Sequence, residues 1–453
     1  MKLIKNFAKL LPVLALPALL AGCNSNTTPL REVFRKQTPY EKYEQSLRNA
    51  DLDKTALGQD WLLAGRRVLR DSTVIAIPFQ ETGYFAADKP AAYSYRIDAR
   101  RGERIVVRVD VQARQPVRVF VDVFQLGGVP KVVASSDTAA NTLDYEVEED
   151  RQHLVRVQPE LLRSGRYTIS VTSAPSLGFP VAGKDDRAIG SFWGVARDGG
   201  RRKHEGVDIF AKRGTPVVAS VEGTVRGVNT NKLGGKVVWL SDNRRNQTLY
   251  YAHLDEQLVQ PGQRVRAGDT LGLVGNTGNA ATTQPHLHFG IYRYVGGAVD
   301  PYPFLRGPQA NPSRPAVDLE GLGAWHRVSA RKAVLRSGPQ KNASTLAELD
   351  RHTPLVLLAG TGKWYRVALP DAQTGYLAES SVEAIRKPVR RIPVTAPAPI
   401  FDFPDPAAAV MEEARNNQPL EGLATFGGYW LVQTATGTLG WYRAEPAITQ
   451  SGG

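Results

Sequence analysis

The sequence predicts a mainly β, multidomain protein. The chain has 453 residues, more than one ordinary hydrophobic core accommodates, so two to four domains are expected. Its 42 glycines and 30 prolines indicate many turns and short strands. Between the turns, apolar residues alternate with polar ones over long stretches, and this period of two is typical of strands that bury one face.

Residues 1–22 are predicted to be a lipoprotein signal peptide. Lysines precede an apolar run, Leu10 to Leu20, which is too short and too interrupted by proline to span a bilayer. The single cysteine, Cys23, follows in the run LAGC, which resembles the bacterial lipobox. The resemblance implies cleavage before Cys23 and attachment of acyl chains to it. Because each buried methylene contributes about 0.8 kcal/mol, two or more chains would form a stable membrane anchor.

The predicted export restricts the partners of the chain. The formal net charge is +13, which suits an anionic surface such as cell-wall polymer or anionic lipid. Nucleic acid is not expected as a partner of an exported protein. Asn24 follows Cys23 where inner-membrane lipoproteins of Gram-negative bacteria often have aspartate, which favours the outer membrane. The alternative to lipidation is a free thiol, which would be reactive in an exported protein.

Residues 23–72 are predicted to form a polar tether followed by two helices. The run TPYE at 38–41 combines a capping box with a proline in the first turn, so the first helix should begin there. Apolar residues then recur at helical spacing. The second helix should cover Leu57 to Leu69.

Residues 73–175 are predicted to form a β-sandwich. The run VRVFVDVF places its four valines on one face of a strand, and RIVVRV, HLVRV and GRYTISV indicate further strands. Short strands separated by turn residues favour two packed sheets. No pattern in this region indicates chemistry. His153 is predicted to be a surface strand residue and not a ligand.

Residues 180–306 contain the pattern that indicates chemistry. The run PHLHF places His286 and His288 on one face of a strand, because residues two apart point the same way. The apolar residues Leu287, Phe289 and Ile291 then line the opposite, buried face. Two imidazoles on one face suit a metal or a proton-transfer site. The motif alone is weak evidence, because a surface strand can hold two histidines without forming a site.

Three further residues in the same region strengthen this interpretation. His204 and Asp208 lie four residues apart, and His253 lies between the two segments. Asp208 stands in an apolar strand, where an unpaired carboxylate is costly and a metal ion would pair with it.

These segments resemble the lysostaphin/LytM-type zinc endopeptidases, which cut the peptide cross-links of the bacterial cell wall. The resemblance covers roughly residues 180–306. It rests on four motifs: His-x-Gly-x-Asp at 204–208, Tyr-x-His at 251–253, Val-Gly-Asn-Thr-Gly at 274–278 and Pro-His-Leu-His-Phe at 285–289. It implies a central LytM-type β-sheet peptidase domain with one Zn²⁺ per chain. The implied zinc ligands are His204, Asp208 and His288, and the implied catalytic pair is His253 and His286.

The sequence departs from the family pattern at two positions. Gly290 stands where many relatives have glutamate, and Gln284 stands where glycine is common. Neither residue is an implied ligand, so the departures bear on fine specificity and not on the chemistry.

The implied division of roles is chemically consistent. Three protein ligands leave a fourth position for water, which is typical of catalytic zinc sites, and zinc lowers the pKa of bound water to about 7. His253 and His286 could then accept the proton, or stabilise the oxyanion and protonate the leaving amine. The sequence does not decide which of the two is the general base. Glu205 is a competing base that ranks lower, because the chain has no His-Glu-x-x-His motif.

Residues 320–387 and 390–446 are predicted to be two SH3-like barrels. The first resembles the bacterial SH3-like module in its LRSGP start, its WYRV strand and its Gly-Tyr close, and the second repeats the plan more loosely. The aromatic residues of both are interpreted as barrel core. His326 and His352 have no ligand partner in the sequence. The resemblance implies that such modules bind wall peptides or glycan.

Together these patterns predict a lipid-anchored zinc metallo-endopeptidase that hydrolyses peptide cross-links of peptidoglycan. Its predicted location is the periplasmic face of the outer membrane of a Gram-negative bacterium. One alternative is a catalytically inactive LytM-type activator of a cell-wall amidase, although such relatives typically have lost zinc ligands and all five site positions are filled here. Another is a structural wall-binding lipoprotein, which leaves those five residues unexplained. The sequence identifies no protein partner.

Overall fold

Strands make up most of the regular structure, which confirms the mainly β prediction. A computed structural model describes residues 36–70, 72–138, 142–308, 311–434 and 437–443. The predicted signal peptide and Cys23 lie outside the described residues. The described residues from Pro39 onward form one compact unit. Within the described ranges, no helix combines the length and the apolar character needed to cross a membrane.

Within the described residues, two α-helices precede the first strand, close to the predicted positions. Helix α1 covers Pro39–Asn49 and buries Tyr40 and Leu47, and helix α2 covers Ala56–Arg67. The hydroxyl of Thr55 caps α2 by accepting a hydrogen bond from the backbone N–H of Gly58 at 3.1 Å. A third helix, α3, is a single turn at Tyr302–Leu305.

The strands between residues 73 and 175 form two facing sheets, as the alternation predicts. These strands are β1 Thr73–Val74, β2 Phe79–Phe85, β3 Tyr93–Ala99, β4 Glu103–Gln112, β5 Val119–Gln125, β6 Lys131–Ser135, β7 Thr142–Glu146, β8 Arg151–Pro159 and β9 Gly165–Pro175. One sheet has the order β1-β3-β8-β5-β6, and the other contains β2-β9-β4-β7. Residues of both sheets, including Ile105, Val123, Val155 and Ile169, share one buried core.

Helices α1 and α2 cover the outer face of the first sheet. The indole N–H of Trp61 in α2 donates to the carbonyl of Pro159 at 2.8 Å, and the side-chain amide of Gln158 donates to the carbonyl of Trp61 at 2.8 Å. The Trp61 ring also stacks on Tyr40 and meets Phe120 edge-on. Strand β8 is therefore buried on both faces.

The prediction that His153 is a surface residue is wrong. His153 is fully buried, and its ring lies 5.4 Å from that of Tyr145 between ring centroids. Because residues two apart share a face, His153 belongs to the same inward row as Val155 and Val157. Val155 and Val157 mark that row as apolar, whereas the polar side chains of Arg156 and Gln158 stand on the other row, which helix α2 covers.

Residues 189–299 form a second set of strands around a separate core. These strands are β10 Ile189–Ser191, β11 Ala196–Arg197, β12 Arg202–Lys203, β13 Val207–Phe210, β14 Pro216–Val218, β15 Gly223–Asn231, β16 Gly235–Asp242, β17 Gln247–Gln257, β18 Arg264–Val265, β19 Thr270–Val274, β20 His286–Arg293 and β21 Gly297–Val299. The main sheet has the order β10-β13-β20-β17-β16-β15-β18. Leu287, Phe289 and Ile291 are fully buried in its core, which confirms the predicted inward face of β20.

The remaining strands form two further groups. The first group is β22 Trp325–Val328, β23 Lys332–Arg336, β24 Thr345–Asp350, β25 Pro354–Thr361, β26 Trp364–Ala368, β27 Thr374–Ala378 and β28 Val382–Ala384. The second is β29 Arg390–Ile392, β30 Ala398–Phe401, β31 Val410–Ala414, β32 Leu420–Phe426, β33 Tyr429–Gln433 and β34 Leu439–Arg443. The second group forms a sheet of order β29-β32-β33-β34-β30-β31, and its SH3-like character stays a prediction.

The first C-terminal group shares a sheet with the sandwich. Strand β25 pairs antiparallel with β2, with Thr82 opposite Gly360 and Gly83 opposite Ala359. The sheet β24-β23-β27-β26-β25-β2-β9-β4-β7 therefore runs through both regions without a break. The sequence gives no sign of this pairing.

Candidate metal centre and catalytic site

Asp208 and His288 lie directly opposite each other on neighbouring antiparallel strands. The register of β13 and β20 pairs Asp208 with His288 and Phe210 with His286. Strand β17 pairs with the other edge of β20 and places Ala252 opposite His288. The Cβ atoms of opposite residues in such a pair lie about 4.5–5.5 Å apart. The register alone therefore brings Asp208 and His288 within reach of one metal ion.

The backbone before β13 fixes the orientation of His204. Its Nδ1–H donates to the carbonyl of Phe192 at 2.9 Å, so Nε2 faces Asp208. Gly206 leaves room for this arrangement, because a Cβ atom at that position would lie 2.7 Å from the ring of His288. This close approach explains the glycine of the His-x-Gly-x-Asp motif.

Three potential ligand atoms converge at this point. Asp208 Oδ1 lies 3.0 Å from His204 Nε2 and 3.0 Å from His288 Nδ1, and the two nitrogens are 3.0 Å apart. Since the carbonyl of Phe192 accepts the Nδ1–H of His204, Nε2 is the nitrogen of that ring that faces the carboxylate. A bound cation stabilises such an arrangement. Two imidazole nitrogens and one carboxylate oxygen are ligands that Zn²⁺ takes, so the donor set fits zinc.

His286 and His253 lie beside this cluster, with their tautomers fixed by backbone carbonyls. His286 Nδ1 donates to the carbonyl of Gln284 at 2.8 Å, and its Nε2 lies 3.9 Å from Asp208 Oδ1. His253 Nδ1 donates to the carbonyl of Thr277 at 2.9 Å. The His253 and His286 ring centroids are 5.0 Å apart. In both residues Nε2 is therefore the atom that can accept a proton.

An irregularity in β17 turns His253 toward the other rings. The register between β16 and β17 shifts between Val238 and Lys236, which is a bulge at this point of the ladder. His253 has a φ of 62°, in the left-handed region that few non-glycine residues adopt. Its backbone N–H donates to the carbonyl of Gly234 at 2.7 Å. Its ring thereby comes within 5.8 Å of His288, measured between ring centroids.

Burial sets the charges of these groups. Burial, followed by the neighbouring rings of His288 and His286, lowers the pKa of His253 to about 4. Burial also lowers the pKa of His288, although Asp208 opposes the change. Burial alone would raise the pKa of Asp208, but hydrogen bonds with His204 and His288 hold it well below its ordinary value. At neutral pH, His253 and His288 are therefore neutral and Asp208 is a carboxylate.

Sequence reasoning missed Arg197, which contacts Asp208. Its Nη2 donates to Asp208 Oδ2 at 2.6 Å and to Ser191 Oγ at 2.7 Å. The segment RDGGRRK at 197–203 contains four basic residues, and no spacing distinguishes the first from the others. Only the folded hairpin of β11 and β12 shows which of them reaches the site.

The other candidates lie outside the cluster. The carboxylate of Glu205 lies 3.5 Å from the hydroxyl of Tyr292, and Glu205 is not a member of the group of potential ligands. His326 lies in β22, and His352 lies in the turn before β25 with a φ of 69°. His153 lies in the core of the sandwich.

The domain that holds this site matches a known family. The family model described as "Peptidase family M23" matches residues 202–301, a range that contains all five site residues. The model described as "Bacterial SH3 domain" matches residues 329–383. The chain therefore contains an M23 peptidase domain of the LytM type, followed by a bacterial SH3 domain.

Similar proteins come from several bacteria. A protein named L-Ala--D-Glu endopeptidase from Bacillus subtilis is 40% identical over 28% of this chain and 42% of its own length. The peptidoglycan DD-endopeptidase ShyC of Vibrio cholerae is 38% identical over 19% of this chain and 20% of its own length. The uncharacterised lipoprotein YgeR of Escherichia coli is 37% identical over 24% of this chain and 40% of its own length. The chain thus spans less than half of each of these relatives.

Proposed function

We propose that this protein is a zinc metallo-endopeptidase that hydrolyses peptide cross-links of peptidoglycan. The observation that carries the proposal is the convergence of His204 Nε2, Asp208 Oδ1 and His288 Nδ1, each 3.0 Å from the other two. The M23 family match supports a peptidase, and the names of the endopeptidases of Bacillus subtilis and Vibrio cholerae support a wall peptide as the substrate.

His204, Asp208 and His288 would hold one Zn²⁺. When bound, the ion would act as a Lewis acid on the scissile carbonyl and on a water molecule. The roles of the remaining residues follow from their protonation. His253 and His286 carry their protons on Nδ1, so each presents Nε2 as a proton acceptor beside the ligand cluster. One would take the proton of the attacking water, and the other would stabilise the oxyanion or protonate the leaving amine.

The complete site favours an enzyme over an inactive amidase activator. An activator needs the fold but not five converging side chains, and four of them, all except His288, are buried polar groups whose burial is costly without a partner. A purely structural role as a wall-binding lipoprotein would likewise not account for the cluster of five side chains.

The flanking regions fit an enzyme that is anchored and positioned at the wall. We infer lipidation at Cys23 from the lipobox, and the similarity to the lipoprotein YgeR supports it. The bacterial SH3 domain and the net charge of +13 fit binding to a polymer rich in carboxylates. The proposed location is the periplasmic face of the outer membrane of a Gram-negative bacterium. The proposed domains keep the predicted boundaries: 1–22, 23–72, 73–175, 180–306, 320–387 and 390–446.

Product analysis tests the proposed activity. Purified protein is incubated with isolated sacculi, with and without a zinc chelator, and the soluble fragments are identified by mass spectrometry. The expected result is release of fragments with cut peptides and intact glycan, abolished by the chelator and restored by Zn²⁺. Fragments that appear only after a wall amidase is added would favour the activator instead.

A further inference from the structure

We infer that Arg197 is a positioning residue that holds the second carboxylate oxygen of Asp208, so that only Oδ1 is presented to the metal. The inference rests on the proposed zinc site. It goes beyond the ligand set, because Arg197 is not a ligand and yet would determine how many oxygens Asp208 contributes to the metal.

The two oxygens of Asp208 have different partners. Oδ1 lies 3.0 Å from His204 Nε2 and 3.0 Å from His288 Nδ1, in the group of potential ligands. Oδ2 lies 2.6 Å from Arg197 Nη2. A hydrogen bond between an arginine and a carboxylate is charge-assisted and stronger than one between neutral groups. The carboxylate therefore has one oxygen directed to the site and one engaged by the guanidinium.

Ser191 fixes the guanidinium in this position. The same Arg197 Nη2 donates to Ser191 Oγ at 2.7 Å. Strand β10 places Ser191 opposite Asp208 in the register with β13. Arg197 itself stands in β11, where it pairs with Arg202 of β12. The hairpin and the edge of the main sheet thus hold Arg197 from two sides.

Burial makes this contact more than a surface ion pair. The Asp208 side chain is 10% exposed and that of Arg197 is 32% exposed. Exposed ion pairs contribute little because water and salt screen them. Here the acceptor lies inside the site, and the donor covers it from the solvent side.

The contact matters because a free carboxylate can bind a metal through both oxygens. A second oxygen on zinc would occupy the position that a catalytic site leaves for water. A guanidinium on Oδ2 opposes this and holds the carboxylate in the orientation that presents Oδ1. Residues that orient metal ligands in this way typically change metal affinity or activity by about 10–100-fold when they are replaced.

Metal binding to the full-length protein tests the inference directly. The variants are Arg197→Met, which keeps the apolar stem and removes the donors, Arg197→Lys, which keeps the charge, and Ser191→Ala, which removes the anchor. Arg226→Met, an exposed arginine in β15, is the matched control. Zn²⁺ affinity is measured by competition with a chelator. The visible absorption of the Co²⁺-substituted protein reports coordination number, because four-coordinate Co²⁺ absorbs more strongly than five- or six-coordinate Co²⁺.

We expect Arg197→Met to weaken Zn²⁺ binding by about 10–100-fold and to lower the intensity of the Co²⁺ bands. Arg197→Lys and Ser191→Ala should show smaller changes in the same direction, and Arg226→Met none. Wild-type affinity and an unchanged Co²⁺ spectrum in Arg197→Met would overturn the inference while leaving the proposed function intact. Failure of the wild type to bind Zn²⁺ would overturn both. If Arg197→Met does not fold, the Zn²⁺ affinities and Co²⁺ spectra of Arg197→Lys and Ser191→Ala decide the inference.

Discussion

Backbone carbonyl groups determine how three of the four histidines in the peptidase domain present their nitrogens. His204, His253 and His286 donate Nδ1–H to the carbonyls of Phe192, Thr277 and Gln284. Each of these rings therefore directs Nε2 toward the site. His288 differs, because it presents Nδ1 to Asp208 and His204. The sequence shows the histidines but not the carbonyls, so the tautomers follow only from the fold.

Substitution should separate the proposed metal ligands from the proposed catalytic pair. His288→Ala removes a proposed ligand, so zinc content and activity should fall together. His286→Ala leaves three ligands, so zinc should stay near one per chain while activity falls by about 10²–10⁴-fold. Metal analysis and turnover on the same preparations provide the measurement, with His326→Ala as the control. Loss of zinc in His286→Ala together with retention in His288→Ala would reverse the assignment.

Three adjacent strands assemble most of the site. The side-chain alternation of β20 directs His286 and His288 to one face, as the sequence predicts. Alternation does not say which of them meets Asp208. The register of β13 and β20 does, because it sets Asp208 opposite His288 and sets Phe210 opposite His286. A shift of this register by one residue would send every side chain of the strand to the other face.

Strand β8 should lose stability in acid because of His153. Burial lowers the pKa of His153 below its ordinary value of 6.5. An unfolded chain takes up a proton near pH 6.5, whereas the folded chain does so only at lower pH. The stability contributed by neutral His153 is therefore complete above pH 6.5 and is lost as the pH falls.

Hydrogen exchange measures this effect locally. The free energy of opening of β8 should decrease between pH 7.5 and pH 5.5 in the wild type. His153→Phe keeps a ring in the core and removes the titration, so its opening free energy should change less. Strand β33, which contains no histidine, is the internal control. An equal pH dependence of β8 in both proteins would contradict the prediction.

At the scale of the whole molecule, a buried polar network joins the sandwich to the SH3 domain. Arg366 in β26 lies 3.4 Å from Glu81 in β2, and it also donates to the hydroxyl of Tyr376 at 2.8 Å. The hydroxyls of Tyr376 and Tyr95 each donate to Glu81 at 2.8 Å. Glu81 is fully buried and Arg366 is 5% exposed. The two regions therefore share a desolvated ion pair in addition to the continuous sheet.

Breaking this pair should uncouple the two regions. Glu81→Gln leaves the Arg366 guanidinium buried without its counter-charge, which typically costs about 3–5 kcal/mol. We expect calorimetry to show the sandwich and the SH3 domain unfolding together in the wild type and in separate steps in the variant. Asp350→Asn breaks the exposed pair with Lys332 and serves as the control, with little expected effect because water and salt screen that pair. A single unshifted transition in Glu81→Gln would refute the coupling.

Membrane attachment should depend on Cys23. Acylation requires the thiol, so Cys23→Ser should accumulate as an unprocessed precursor without lipid. Labelling cells with a radioactive fatty acid, followed by fractionation, provides the measurement, and a serine substitution at the neighbouring Asn24 is the control. Cleavage at the same bond with lipid label in Cys23→Ser would contradict the lipobox interpretation.

The sequence by itself determined the class of fold and predicted the residues of the candidate site. Period-two alternation predicted the strands, because a strand that buries one face must alternate. The spacing of histidine and aspartate, together with the resemblance to LytM-type endopeptidases, predicted a site of His204, Asp208, His253, His286 and His288. These signals are local, so they can be read without knowing which strands pair.

Only the tertiary structure determined which residues and strands are neighbours. It paired Asp208 with His288, brought Arg197 onto the second oxygen of Asp208, covered both faces of β8, whose inner face carries His153, and joined β25 to β2. Each of these contacts joins segments whose own sequences carry no mark of the partner. Their positions depend on strand register and on the packing of sheets and helices, which are properties of the whole chain.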